Sequence, residues 1–169
     1  MSWQEQLADE LAEGGVEVAA CVPDGRLAGV LVRLEQRGVT VRRLTREEEC
    51  VAYAGGCTLA GGRAAVLMQC SGIGNALNAV GALTVPYGLG LALVVSMRGT
   101  LGERNPSQVP MGRATRPLLE ALGVQAFSLR EEKEIAPVVR GVLELAYAAR
   151  TPAAAILEPE LGGLGIGRY

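Results

Sequence analysis

Few side chains in this sequence can move a proton or hold an anion, and they fall in four short stretches. Thr45-Arg46-Glu47-Glu48-Glu49 opens a run of Cys, Ala and Gly that ends at Gly61-Gly62. Gln69-Cys70-Ser71-Gly72-Ile73-Gly74-Asn75 follows an apolar segment. Pro23-Asp24-Gly25 holds one of two aspartates, Asp9 being the other. Arg98 to Ala114 is polar, interrupted by Gly and Pro, and carries Arg98, Arg104 and Arg113. There is no histidine. Ser-His-Asp and Cys-His catalysis are therefore excluded. Proton transfer falls to Glu, Lys, Tyr, the two aspartates or a cofactor. The four cysteines, Cys21, Cys50, Cys57 and Cys70, form no Cys-x-x-Cys pair, so no zinc site is expected. So aliphatic a chain has little need of a disulfide framework, and buried, reduced thiols are expected.

Each stretch has a plain and a functional reading. Thr45 and Glu48 fit a capping box, and acidic residues suit a first helical turn. Capping does not explain the small residues that follow, which suggest close approach by another surface or a cofactor ring. The Gly-Ile-Gly stretch reads as a tight strand-to-helix turn, or as N–H groups presented to an anion. It is neither Gly-x-Gly-x-x-Gly, since Leu77 holds the third glycine place, nor a phosphate loop ending in Gly-Lys-Ser/Thr. Pro-Asp-Gly is an ordinary turn or a polar contact. Three arginines in one loop are solvated, or hold a small anion.

The positioning elements can be read from periodicity. Helices are expected at 3–14, 26–37, 45–60, from the 70–74 turn to about 83, at 115–122 and at 131–149. Strands are expected at 16–22, 39–44, 64–69, 91–96, 124–128 and 153–158. Most of these strands are continuous apolar runs, so both sheet faces are covered. The pattern implies a three-layer α/β domain with a mainly parallel sheet of about six strands, spanning residues 1–169, with a loose Gly-rich tail from Gly162 to Tyr169. In such sheets ligands sit beyond the carboxyl ends of the strands, where all four polar stretches would gather.

The formal net charge of −2 gives no electrostatic case for nucleic acid or an anionic membrane. The acidic, amphipathic start lacks the marks of a signal peptide. Ala79 to Met97 has no charge, but Pro86, Gly88 and Gly90 break it into a buried helix end, a turn and a central strand rather than a membrane span. A cytoplasmic protein is expected.

Together, five motifs in register resemble a known family. They are Val22-Pro23-Asp24-Gly25, Thr45 to Glu49, Gln69 to Asn78, Met97-Arg98-Gly99-Thr100-Leu101-Gly102-Glu103 and Gln108-Val109-Pro110-Met111-Gly112. The chain resembles, over about residues 5–160, the alpha subunits of sulfopyruvate decarboxylase and the related phosphonopyruvate decarboxylases. These carry the pyrimidine-binding domain of thiamine-diphosphate enzymes.

The resemblance implies that Glu47, nine residues before Gly56, hydrogen-bonds N1′ of the cofactor's aminopyrimidine. That bond favours the tautomer able to take the thiazolium C2 proton, and burial among Ala and Gly is expected to raise the Glu47 pKa. Gln69, Ser71, Gly72 and Asn75 would line the cofactor. Asp24 and Arg98 would contact a small anionic 2-oxo acid, with Ser71 also near the reacting carbon. The chain has no Gly-Asp-Gly motif, so Mg²⁺ and the cofactor's diphosphate would be held by a beta subunit in a hetero-oligomer. The isolated chain would bind cofactor weakly and self-associate. With no histidine, the proton donor would be Asp24 or a group of the partner. Phosphonopyruvate as substrate, and a non-catalytic scaffold, remain the alternatives.

Overall fold

Ser2 begins the first helix. Its hydroxyl accepts the Glu5 N–H, and the Glu5 carboxylate accepts the Ser2 N–H at 2.7 Å, closing a capping box. The computed structural model describes residues 1–163. Its elements are α1 (Trp3–Glu13), β1 (Val18–Cys21), α2 (Ala28–Gln36), β2 (Thr40–Arg43), α3 (Glu47–Leu59), β3 (Ala64–Gln69), α4 (Cys70–Ala79), β4 (Ala92–Ser96), α5 (Val109–Ala121), β5 (Gln125–Leu129), α6 (Ile135–Tyr147) and β6 (Ala153–Leu157). The strands form one sheet in the order β2-β1-β3-β4-β6-β5, and every pairing is parallel. The expected α/β architecture holds.

Strand alternation sorts the core into two layers. Ala65, Leu67 and Val94 point to one face and pack with Leu7 of α1, Leu34 of α2 and Val139 of α6. Val66, Met68 and Val95 point to the other, against Val51 of α3, Ile73 of α4 and Leu119 of α5. Each fully buried Leu or Val contributes about 1.5–3 kcal/mol. At one edge, β2 is Thr-Val-Arg-Arg and mostly exposed. Its charges discourage pairing with another sheet.

Two segments depart from the sequence reading. The glycine turn expected at 70–74 is absent, because α4 starts at Cys70, directly after β3. Neither Gly72 nor Gly74 has positive φ; both lie within the helix. The loop expected over 98–114 is shorter, because α5 begins at Val109 rather than 115. Pro110 sits in the first turn, where its missing N–H is no loss, so it starts the helix rather than preventing it.

The charge-free segment 79–97 forms the end of α4, a π-turn at Val80–Thr84, a turn and β4. No helix among the described residues is long and apolar enough to cross a membrane. Of the expected tail, Gly162 and Gly163 form a turn after β6, with Gly162 packed on the Trp3 indole. Residues 164–169 lie outside the described residues.

Candidate functional site

Because all six strands run the same way, the segments after them share one edge. Helix α3 starts there. Its N-cap is Arg46, whose side chain has no acceptor. Glu49 supplies the return half of the cap, its Oε2 accepting the N–H groups of Thr45 at 3.1 Å and Arg46 at 3.2 Å. The expected Thr45–Glu48 box does not form. The helix begins one residue later than that box requires, with Arg46 and not Thr45 as N-cap, which makes Glu49 the capping carboxylate rather than an idle surface group. Glu48 turns to Arg46 Nε at 2.6 Å.

Glu47 has neither role. Its half-buried carboxylate lies on the first turns of α4, where its Oε2 accepts Asn75 Nδ2 at 2.9 Å. A Cβ on Gly72 would stand 2.4 Å from Glu47 Cγ and 2.6 Å from its Oε1. Gly72 is thus the cradle in which the carboxylate sits. Ser71 Oγ donates to Gln69 Oε1 at 2.8 Å, fixing the residues at the strand-to-helix junction. Glu47, Gln69, Ser71, Gly72 and Asn75 therefore gather around the end of β3 and the start of α4.

The thiols stay out of this chemistry. Cys21, Cys50 and Cys70 are buried and Cys57 is partly buried; all four are free. Burial pushes the Cys21, Cys50 and Cys70 thiols up, Cys50 to about 12. Little nucleophilic thiolate exists near neutral pH. Cys70 Sγ instead accepts the Arg98 N–H at 3.2 Å.

Asp24 and Arg98 line a cleft of about 690 Å³, and Glu47 is not among its lining residues. Asp24 follows β1 and accepts the hydroxyl of Ser96, the last residue of β4. Ser96 pairs in register with Gln69, so the Asp24 loop arches across the end of β3 between them. Ser96 was not anticipated; its only signal is a polar residue closing an apolar strand. Arg26 ties this loop to the turn after β6, donating to the carbonyls of Leu157, Glu158 and Leu161.

Arg98 is bound bidentately by Glu103, Nε to Oε2 at 2.6 Å and Nη2 to Oε1 at 2.8 Å. The expected three-arginine loop is not one cation cluster: Arg113 is on α5 and exposed, and Arg98 already has a carboxylate. Glu103 also accepts the N–H groups of Asn105 at 2.9 Å and Gly99 at 3.1 Å, so it organises the loop. Gly99 has φ +75° and its Cα side faces the backbone of Gln108, leaving no room for a side chain. The Arg98 fork, then the Asn105 and Gly99 N–H groups, hold the Glu103 carboxyl down to about 2 from an ordinary 4.5.

A depressed folded-state pKa contributes stability above the unfolded value that is lost as pH falls through the folded one. Between about pH 4.5 and 2, the unfolding midpoint of the wild type should therefore approach that of Glu103→Gln. Parallel urea titrations at stepped pH check this. A gap that stayed constant with pH would count against Glu103 as the stabilising charge.

Residues 1–97, more than half of the chain, match the family model for the thiamine pyrophosphate enzyme N-terminal TPP-binding domain. The chain belongs to this family. It is 33% identical over 159 residues to a sulfopyruvate decarboxylase subunit alpha of Methanococcus maripaludis, covering 94% of this chain and 95% of that one. A phosphonopyruvate decarboxylase of Streptomyces viridochromogenes is 33% identical over 108 residues, which are 63% of this chain and 27% of that protein. The 2-oxoglutarate:ferredoxin oxidoreductase of Magnetococcus marinus shares the fold, with a TM-score of 0.68 and 15% identity over 96% of this chain and 30% of that one.

For a TPP-binding domain, two further features matter. Exposed apolar side chains, Tyr53 and Leu59 on α3 and Leu83, Val85 and Tyr87 after α4, lie on elements that pack together and run from the Glu47 end of α3 toward the opposite edge of the sheet. Among the described residues, no cluster of three or more Cys, Asp or Glu could hold a metal ion.

Proposed function

We propose that this chain is the alpha, pyrimidine-domain subunit of a two-chain, thiamine-diphosphate-dependent decarboxylase that converts 3-sulfopyruvate to sulfoacetaldehyde and CO₂. The observation that carries this reading is the likeness, over nearly the full length of both chains, to a sulfopyruvate decarboxylase subunit alpha. The residues fit the cofactor's aminopyrimidine. A carboxylate at the N-terminal turn of α3 rests in a hollow without a Cβ, and small residues lie behind it.

When bound, the cofactor supplies the carbon nucleophile and the electron sink for CO₂ loss. The chain's own residues do the rest. Glu47 holds a proton at the aminopyrimidine nitrogen N1′, and Asn75 fixes its carboxylate. Gln69 and Ser71 shape the junction beside it, and Ser96 orients Asp24, a polar contact on the substrate side. Arg98, whose Nε/Nη2 fork is held by Glu103, brings a fixed guanidinium to the cleft where a carboxylate or sulfonate would sit. Glu47 is only half-buried here, so a covering surface must exclude water around it. The exposed apolar face along α3 and the segment after α4 fits such a partner, a beta subunit that would also hold Mg²⁺ and the diphosphate.

The chain, co-expressed with a beta subunit and given thiamine diphosphate and Mg²⁺, should release sulfoacetaldehyde and CO₂ from 3-sulfopyruvate. Neither chain should do so alone. No turnover by the pair would refute the activity, and full turnover by this chain alone would refute the two-chain assembly.

A further inference from the structure

Glu103 does more than the loop requires. Its side chain is 8% exposed, yet it lines the cleft and stands against the Arg98 guanidinium, the proposed holder of the substrate tail. Two oxygens accept four donors: two from Arg98 and one each from Gly99 and Asn105. The charge cannot swing away, and no working pH removes it. The cleft lining brings three cations, Arg26, Arg98 and Arg104, against two carboxylates, Asp24 and Glu103. Arg26 is held by backbone carbonyls and lies over the Trp3 ring, 5.5 Å from its centroid. Arg104 is exposed to solvent. A tail entering beside Arg98 therefore meets a guanidinium whose charge is already balanced by a fixed carboxylate.

We infer that Glu103 is a specificity-determining residue that makes the cleft accept a tail with one negative charge and disfavour one with two. This rests on the proposed function and deepens it. Sulfonate and phosphonate have similar size and tetrahedral shape, so packing separates them poorly. They differ in charge: a sulfonate is a monoanion at any working pH, whereas a phosphonate becomes a dianion at mildly alkaline pH. A fixed carboxylate beside the anchor repels a dianion about twice as strongly as a monoanion, and partial burial weakens solvent screening. Arg98 still supplies donors and orientation, while Glu103 sets how much charge they can balance.

The test uses Glu103→Gln, since the amide oxygen can still accept from Gly99 or Asn105 while the charge is gone. Wild-type and E103Q complexes with the partner subunit, thiamine diphosphate and Mg²⁺ are titrated calorimetrically with 3-sulfopropionate and 3-phosphonopropionate. The assay is run at mildly alkaline pH and fixed ionic strength. E103Q should raise affinity for the phosphonate relative to the sulfonate by about tenfold. The ratio of kcat/KM for 3-phosphonopyruvate over 3-sulfopyruvate should move the same way. An unchanged ratio, an equal weakening of both acids, or binding of neither acid overturns the inference; Glu103 would then only staple the loop. The propionates have no keto group to react, so their ratio judges Glu103 even where neither keto acid turns over. Failure of the wild-type complex on both keto acids counts instead against the proposed function.

Discussion

Glu47→Gln in the assembled complex should reduce aldehyde formation by about 10²–10⁴-fold while the chain folds normally. Gln is nearly isosteric with Glu, so it still rests over Gly72 and still offers an oxygen to Asn75 Nδ2. What it lacks is a proton to hold and release. The structural cost is small. Glu47 is the first residue of α3, and losing one charge from a first turn costs about 0.3–1 kcal/mol. Glu49→Gln should give the opposite pattern, because Glu49 caps the helix through Thr45 and Arg46. Its loss should lower stability by roughly 1 kcal/mol with little effect on turnover. Steady-state kinetics beside thermal melts separates the two cases. Near wild-type turnover by E47Q would remove Glu47 from the chemistry.

The three adjacent glutamates show how far the sequence alone can be read. Composition and the order of apolar runs were enough for a parallel sheet with helices on both sides, because buried parallel strands need no polar alternation. They were also enough to bring Asp24, Glu47, Gln69 and Arg98 to one edge. The roles of Glu48 and Glu49 were not legible, since they depend on whether Thr45 or Arg46 is the N-cap, and a shift of one residue changes which carboxylate faces the free N–H groups. The start of α5 was hidden for a similar reason: Pro110 and Gly112 look like loop residues, yet one suits a first turn and the other allows contact with the Arg98 carbonyl. Ser96 and Glu103 were missed because their partners are set by folding. Ser96 meets Asp24 across β3, 72 positions away in sequence. Glu103 meets Arg98 only once Gly99 turns the loop back.

Gly72→Ala offers a separate test of the site, because stability and activity should part company. A methyl at this position would lie 2.4–2.7 Å from Glu47 Cγ, Oε1 and Cδ. Those atoms belong to a flexible side chain, so relief comes from a swing of Glu47 rather than a shift of backbone. Meanwhile Gly to Ala inside a helix favours it by up to about 1 kcal/mol. The variant should melt at or near the wild-type temperature. Its turnover should fall about 100-fold, since displacing a reacting group by roughly 1 Å costs that much. Gly74→Ala is the matched control on the same helix, since its Cβ does not meet Glu47. Its Cβ meets only the mobile end of Met111, 3.2 Å away at Cε, so activity should hold. The double variant decides the cause. If Gly72→Ala acts by moving the Glu47 carboxylate, it should cost almost nothing further in the E47Q background, a strong departure from additivity. A full 100-fold loss on top of E47Q would mean that Gly72 matters for some other reason and that the cradle is not what positions the acid.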